Sequence, residues 1–416
     1  MFFFYWAGLR LYEILILLAS PFNIRAKEML VGRKNIWKEI DVKLKSINEK
    51  RVWFHVASMG EYEQARPIME ALKHSDKTIK IITTFFSPSG YNALQNDKSS
   101  DYVFYLPFDS KKNANKLIEM IQPCMAFWVK YDLWYYYIQE LKSRKIPCYL
   151  LSAAFRSNQI YFKPYGLFFK SILQNFTQIF TQNIQTNKLL STIQVNSIFS
   201  NDTRFDRVLK SVNILENIPE IEKFKSDSLL IVAGSSYEIE EIILSDFFAQ
   251  NKLNIKLIIA PHFVEKNRIL EIENNFLNQT IKWSEYKISH NDNDRKILIL
   301  DCIGLLSKVY RYADFALIGG GFTHGGLHNI LEAAAFGVPT FFGPKINKFP
   351  EASDLVYTHG AIVVNDAFEF KLEINNLINN PEALYQVSNK AKTYIQHNSG
   401  ATQIVMEYLS NNAIYP

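Results

Sequence analysis

Cysteine is scarce in this chain, with three residues, Cys124, Cys148 and Cys302, among 416. Their scatter offers neither metal-ligand spacing nor a disulfide framework, which fits a reducing compartment. A strong charge bias is also missing. The net charge of +5 at pH 7 is small and spread out, so no nucleic-acid partner is expected. No acidic pair or histidine cluster resembles a metal site, and neither a metal nor a cofactor is expected. Internal repeats and low-complexity linkers are absent from the sequence as well. What abounds is apolar: 48% of residues are hydrophobic and 14% aromatic, against 21% charged. That balance describes a globular chain, and its length points to about two to three domains.

The first 22 residues, MFFFYWAGLRLYEILILLASPF, are apolar apart from Arg10, Glu13 and Ser20. A secretory signal fits poorly, because the charges sit mid-segment and no small-x-small cleavage site follows. Arg10 and Glu13 stand three apart and can pair on one helical face, leaving a wide Phe/Leu/Ile face for lipid. Pro21 marks the stop. A basic run follows: Arg25, Lys27, Arg33, Lys34, Lys38, Lys43, Lys45, Lys50 and Arg51. Lysine and arginine beside an apolar segment mark the cytoplasmic side and attract anionic headgroups. Two readings stand, a core helix capping the first domain and a membrane anchor holding the body in the cytoplasm; the second is preferred.

Beyond this segment, strands alternate with helices. Arg51–Ala57, Lys80–Thr84, Asp101–Leu106, Met125–Val129 and Pro147–Leu151 read as strands, with a helix over Glu61–Lys73. The pattern pauses around Ser200–Glu216. A second series follows at Ser228–Val232, Lys256–Ala260, Lys296–Leu300, Phe315–Ile318, Thr340–Phe342 and Ala361–Val364. Such βα series build parallel, doubly wound sheets. The expected organisation is an α/β chain with an anchoring segment over 1–24 and two Rossmann-like domains, 25–210 and 211–416, facing a central cleft. Ligands are sought in loops at the carboxyl ends of the strands.

Two such loops stand out. After Phe315–Ile318, five glycines (Gly319, Gly320, Gly321, Gly325 and Gly326) fall within eight residues, and a helical pattern opens at His328-Asn329. Glycines let backbone approach a ligand, and a helix start offers unpaired N–H groups to phosphate. Glu332, one turn on, suits ribose hydroxyls. His328 reads either as a phosphate or base contact or as a neighbour of the helix cap. After the first strand, Ser58 and Glu61 have capping-box spacing. Beside that structural role stands a catalytic one: with Gly60, Glu61 lies where burial would raise a carboxylate toward general-base range. His55, mid-strand, reads as a buried structural histidine, and Trp134 as core.

His55-Val-Ala-Ser-Met-Gly-Glu61 resembles the HxxSxGE opening of the bacterial 3-deoxy-D-manno-octulosonic acid (Kdo) transferases. Tyr105–Asp109 resembles that family's YLPxD, and Ala233–Glu241 its AGSTHxGEE. Asp301–Leu306 with Tyr310 and Ala313-Asp314 resembles DTxGEL…Y..AD. Gly326–Glu332 is similar to GGHNxLE, and Gly343-Pro344 with Asn347–Glu351 to GP…NFxE. Six short motifs in order over about 300 residues make this resemblance specific. Departures occur at Asp132–Tyr136 (for ELWPN), Ser152–Arg156 (NARLS), Pro261–Lys266 (PRHPER) and Asn201–Asp206 (GNxKFD). These mark a divergent branch.

The resemblance implies a GT-B fold and transfer of Kdo from CMP-Kdo to the lipid A precursor in lipopolysaccharide synthesis. It further implies an inverting mechanism with Glu61 as base, at the cytoplasmic face of the inner membrane. Carried onto this sequence, the substrate contacts are Ser58, Gly60, Ser235, Ser236, His262, the five loop glycines, His328, Asn329, Glu332, Asn347 and Glu351. Two readings from other classes stand beside it, a sugar-nucleotide epimerase of the same fold and a non-catalytic membrane-tethered nucleotide-sugar binder.

Overall fold

The computed structural model describes residues 2–45, 49–93, 99–213, 217–277, 279–289, 295–323 and 326–412. The chain divides into two compact units, Met1–Arg207 with Ser399–Pro416, and Val208–Asn398. In the first, seven strands run in chain order: β1 (Arg51–Val56), β2 (Lys80–Phe85), β3 (Tyr102–Tyr105), β4 (Met125–Val129), β5 (Cys148–Ala153), β6 (Gln178–Thr181) and β7 (Ser197–Phe199). All their pairings are parallel, in the order β3-β2-β1-β4-β5-β6-β7. A strand covered by helices on both faces must be apolar throughout, and β1, β4 and β5 are buried at every position. From β1 the chain steps outward to β3, then returns to β4 on β1's other side. Loops leaving β1 and β4 therefore diverge, which is where an open α/β sheet holds its ligand.

The second unit repeats the plan with β8 (Leu229–Ser236), β9 (Ile255–Pro261), β10 (Thr280–Lys282), β11 (Ile297–Ile299), β12 (Phe315–Ile318), β13 (Thr340–Phe342) and β14 (Ala361–Val363). Their order, again all parallel, is β10-β11-β9-β8-β12-β13-β14. Here the switch lies between β8 and β12.

Several expectations shift. Strands β6, β7 and β10 are additions to the sequence reading, and each is three or four residues long. The apparent pause at Ser200–Glu216 contains a helix, Thr203–Asn213, while 214–216 lie outside the described residues. The units part inside that helix. The closing helix, Ala401–Asn411, belongs to the first unit, where Val405 and Leu409 join its core. Asp206 seats it by accepting the backbone N–H groups of Gly400 and Thr402 at 2.5 and 2.6 Å.

Four helices bear on the site and the chain's amino end: α1 (Phe2–Ala19), α2 (Ile24–Lys34), α3 (Ile36–Leu44) and α4 (Met59–Ser75). Helix α1 buries only Ile16, is long and apolar enough to cross a membrane, and forms the Arg10–Glu13 pair at 2.8 Å. Its inner face is tied to the unit, for the Tyr5 hydroxyl donates to Asp109 Oδ2 (2.6 Å) and accepts the Tyr135 N–H (3.0 Å).

The basic run divides, against expectation. Arg33 is buried; its guanidinium donates to the carbonyls of Leu106, Phe86 and Met29 at 2.7, 2.7 and 2.9 Å and lies over Phe86, Tyr105 and Phe108. Arg51 is buried too and holds the carbonyls of Met120, Ile121 and Leu44. Both are struts of the fold, since a buried guanidinium must find acceptors. Arg25, Lys27, Lys34, Lys38, Lys43 and Lys45 stay exposed.

Candidate functional site

In the first unit the site grows from the switch between β1 and β4. Ser58 is the N-cap of α4, and the reciprocal capping box with Glu61 forms. Glu61 Oε2 accepts the N–H groups of Ala57 and Ser58, the latter at 3.2 Å. The side chain is only 9% exposed. Burial, reinforced by the nearby Asp132 carboxylate, pushes its pKa up to about 7, while Lys130 and the two backbone donors pull the other way. Glu61 is therefore a cap and also a carboxyl group poised for proton transfer at neutral pH. Gly60 lies exposed beside it, and an added Cβ would meet nothing nearer than Ser58 Oγ at 4.0 Å.

Sequence reasoning missed Lys130 and Asp132 as neighbours of Glu61. They follow β4, and only the sheet order brings them beside the loop after β1. His55 is buried, with Nδ1 against the Thr84 carbonyl (3.2 Å) and the Trp134 indole donating to Nε2 (3.1 Å), so its role is structural as expected. Tyr131 lies within electrostatic reach of Arg156, Glu61, Arg204 and Asp202, which places two cations at this end of the sheet. Asp202 is buried and accepts from Gln64, Gln182 and Arg204. Burial pushes its pKa up most strongly, yet Arg204 and these hydrogen bonds together hold it below the ordinary value.

The glycine loop of the second unit is built on close backbone contact. Gly320 has φ +89°, and a Cβ there would lie 2.1 Å from the Gly326 carbonyl oxygen. A Cβ on Gly319 would lie 2.0 Å from the Ser235 carbonyl oxygen, and one on Gly321 2.5 Å from the Gly343 nitrogen. Gly325 lies outside the described residues. Several of the loop's N–H groups are already engaged, that of Thr323 by the Gly320 carbonyl. Gly319 donates to the Gly234 carbonyl at 2.9 Å, and Gly320 donates to the buried Glu240 carboxylate at 2.8 Å. Glu240 also accepts the Tyr237 N–H at 3.0 Å. Burial raises its pKa, and these donors oppose that. Glu240, absent from the sequence-derived site, thus organises the loop.

The helix expected at His328-Asn329 begins later. It spans Leu331–Ala335 with Ile330 as N-cap, because Asn329 forms a turn ahead of it, its Oδ1 accepting the Leu331 N–H (3.2 Å) and its Nδ2 donating to Glu332 Oε1 (3.0 Å). Glu332 is therefore the second helical residue. Ser236 turns its hydroxyl onto Glu241 (2.9 Å), which also holds Arg268. Ser235 keeps a left-handed backbone, φ +51°. Asn347 is exposed, and Glu351 occupies the first turn of the helix Pro350–Tyr357.

Three rings meet above the carboxyl ends of β8 and β9. His262 lies 4.5 Å from His328 and 4.9 Å from Tyr237, centroid to centroid, and Tyr237 stacks on His328 at 5.5 Å and 26°. The Tyr237 hydroxyl and His328 Nε2 are 3.0 Å apart. Burial, with His262 adding to it, lowers the His328 pKa to about 4, so at neutral pH its ring is uncharged. Sequence reasoning found both histidines but not Tyr237, whose partners are distant in the chain. No group of three or more His, Cys, Asp or Glu able to hold a metal occurs among the described residues.

A profile of the family described as 3-Deoxy-D-manno-octulosonic-acid transferase (kdotransferase) matches residues 33–207. The 3-deoxy-D-manno-octulosonic acid transferase of Haemophilus influenzae is 26% identical over 379 residues, covering 86% of either chain. A bifunctional glycosyltransferase/methyltransferase of Fusobacterium nucleatum subsp. nucleatum is 26% identical over 344 residues. That match covers 80% of this chain and 52% of the relative, so the chain spans about half that protein's length. Among solved structures, the UDP-GlcNAc 2-epimerase from Neisseria meningitidis bound to UDP-GlcNAc superposes with a TM-score of 0.62. It is 17% identical and covers 87% of this chain and 100% of that one. This last likeness concerns the fold, and the two doubly wound units make that fold GT-B. The family profile over residues 33–207 and relatives aligned along most of its length support the Kdo transferase family for this chain, as a divergent branch.

Proposed function

We propose that this chain transfers Kdo from CMP-Kdo to a lipid A precursor, with Glu61 as general base. The observation that carries the reading is the state of Glu61, a buried carboxyl group at the β1–β4 switch with its pKa pushed up to about 7. Such a group is half ionised at neutral pH and can take a proton as the nucleophile attacks. The acceptor hydroxyl loses its proton to Glu61 while its oxygen bonds to the anomeric carbon of Kdo. The bond from that carbon to the phosphate oxygen breaks, CMP departs with the electron pair, and the configuration inverts. Arg156, exposed at the same end of the sheet, offers positive charge to acceptor phosphates.

The second unit is assigned the CMP part of the donor. The uncharged stack of Tyr237, His262 and His328 presents ring faces to cytosine, Glu332 accepts from ribose hydroxyls, and the Gly319–Gly326 loop keeps the backbone close to the phosphate. Ser58, Gly60, Ser235, Ser236, Asn347 and Glu351 complete the proposed contacts. Residues 1–24 are assigned to membrane attachment at the cytoplasmic face of the inner membrane, supported by the exposed apolar face of α1 and the exposed basic residues of α2 and α3. Incubation with CMP-Kdo, with and without a lipid A precursor, tests the reading. Release of CMP only when acceptor is present supports transfer. A sugar altered without acceptor indicates an epimerase, and no turnover in either mixture indicates a binder.

A further inference from the structure

Beyond filling space in the core, His55 joins three elements around the candidate base. The Trp134 indole N–H donates to His55 Nε2 at 3.1 Å, so that nitrogen carries no proton. The ring's proton then sits on Nδ1 and faces the Thr84 carbonyl at 3.2 Å, with Thr84 Oγ1 at 3.1 Å. That Oγ1 accepts the Trp53 indole N–H at 2.9 Å. Trp53 and His55 lie on β1 and Thr84 on β2, whereas Trp134 follows β4. These bonds tie the loop after β4 to the strand that leads into the Glu61 turn. A ring contact supports the tie, for Trp134 lies on Phe86 with centroids 4.7 Å apart and planes at 31°.

The tied loop carries the groups that act on Glu61. At its start Lys130 donates its N–H to the Leu151 carbonyl at 3.0 Å and takes a left-handed backbone, φ +60°. Outside glycine such a conformation persists where surrounding structure holds it, often at functional sites. A tight turn follows, with Leu133 N–H on the Tyr131 carbonyl (2.7 Å) and Trp134 N–H on the Asp132 carbonyl (3.1 Å). Asp132 is thus held between the sheet anchor of Lys130 and the indole bond of Trp134, with Oδ2 3.8 Å from His55 Nε2. Lys130, Tyr131 and Asp132 all lie within electrostatic reach of Glu61. Tyr12 and Tyr161 lie within reach of Asp132, and burial keeps both phenols uncharged at neutral pH.

We propose that His55 and Trp134 are positioning residues for Glu61, their hydrogen bond holding the Asp132 carboxylate near it. Neighbouring carboxyl groups resist ionising together, so this arrangement keeps Glu61 protonated to higher pH than burial alone would. Its catalytic meaning rests on Glu61 being the general base.

Two substitutions in the full chain break the bond from opposite sides. Trp134→Phe keeps a ring on Phe86 and removes the indole N–H, and His55→Asn keeps a donor near Thr84 and removes the acceptor. The Glu61 carboxyl is followed by carbon-13 NMR of protein labelled in its glutamate side chains, its signal identified by loss in Glu61→Gln. In each variant its titration midpoint should fall from about 7 by roughly one pH unit, and the pH dependence of CMP release with acceptor should move with it. Asp132→Asn should lower the midpoint at least as far, and adding Trp134→Phe to it should move the midpoint little further. A midpoint that stays in place in Trp134→Phe or in His55→Asn overturns the proposal, as does a full additional shift in the double variant. If the midpoints fall as expected while Glu61→Gln releases CMP at the parent rate, the positioning stands and the general-base reading fails.

Discussion

Replacing Glu61 by Gln separates the catalytic from the capping role, because the two make opposite forecasts. The capping role alone predicts normal turnover, since Gln also serves at this position of a capping box. The structure predicts otherwise. Gln retains an oxygen that accepts from the N–H groups of Ala57 and Ser58, and Gln serves at this position of a capping box. The substitution also removes a charge that the site resists. Glu61 has its pKa raised from an ordinary 4.5 to about 7, so the folded state holds the proton more tightly than the unfolded state. Its contribution to stability is fully present below the ordinary carboxylate value and is lost as pH rises through about 7. Above that pH the ionised side chain costs on the order of 3 kcal/mol. The Gln variant should therefore melt close to the parent at pH 5 and higher than the parent at pH 8. Its release of CMP in the presence of acceptor should fall about 10²–10⁴-fold, and parent turnover should rise with pH through about 7. Thermal melts at both pH values, together with a CMP-release assay, decide the matter. A variant that is destabilised at pH 8 yet turns over normally refutes the reasoning.

Four further outcomes follow from the second unit and from α1. Tyr237→Ala removes one face of the ring stack and should weaken CMP binding by about 1–3 kcal/mol in calorimetry, with little change in melting temperature. Glu332→Ala should cost roughly 1.5–3 kcal/mol of CMP affinity if its carboxylate accepts from ribose; unchanged affinity removes it from the site. Gly320→Ala forces a side chain into a left-handed backbone against the Gly326 carbonyl, so strain of about 1–3 kcal/mol should lower the melting temperature as well as abolish CMP binding. Changing Leu11, Leu15 and Leu18 of α1 together to Ser should move the protein to the soluble fraction of a membrane preparation without altering its melt. Retention on membranes after that change defeats the anchor.

The sheets are legible in the sequence wherever strands are buried on both faces. An unbroken apolar run such as Val52–Phe54 or Phe315–Ile318, too short for a buried helix, fits best inside a covered sheet. Strands β6 (QIFT), β7 (SIF) and β10 (TIK) stay hidden, because polar residues break runs that are already short. The candidate site is legible where one short segment carries its geometry, as with the capping box of Ser58 and Glu61. It is not legible where function depends on strand order. Asp132 raises the pKa of Glu61 from a loop about seventy residues later in the chain, and Tyr237 stacks on His328 across about ninety. Glu240 is hidden for a related reason. The glycine cluster reads as an empty cradle for an anion, whereas the fold places a carboxylate of its own against Gly320.

Helix α1 and the basic residues after it read ambiguously for the same reason. Composition alone supports both a core helix and an anchor, and the two faces of α1 differ, one packed and one exposed. Tyr5 and Phe2 pack on Asp109, Tyr135, Tyr136 and Phe168, so α1 is part of the first unit's packing. Leu11, Ile14, Leu15, Leu17 and Leu18 point away from it. The basic run divides likewise, with Arg33 and Arg51 consumed by buried carbonyls and the exposed lysines of α2 and α3 left for solvent or headgroups. Deleting residues 1–22 would therefore strip Asp109 of its Tyr5 donor and expose an aromatic surface along with removing the exposed apolar side. A truncated chain that aggregates would say nothing against membrane attachment. Substitutions confined to the outer face remove its exposed apolar side chains and leave the Tyr5–Asp109 contact intact, which is why they, and not the truncation, can decide the question.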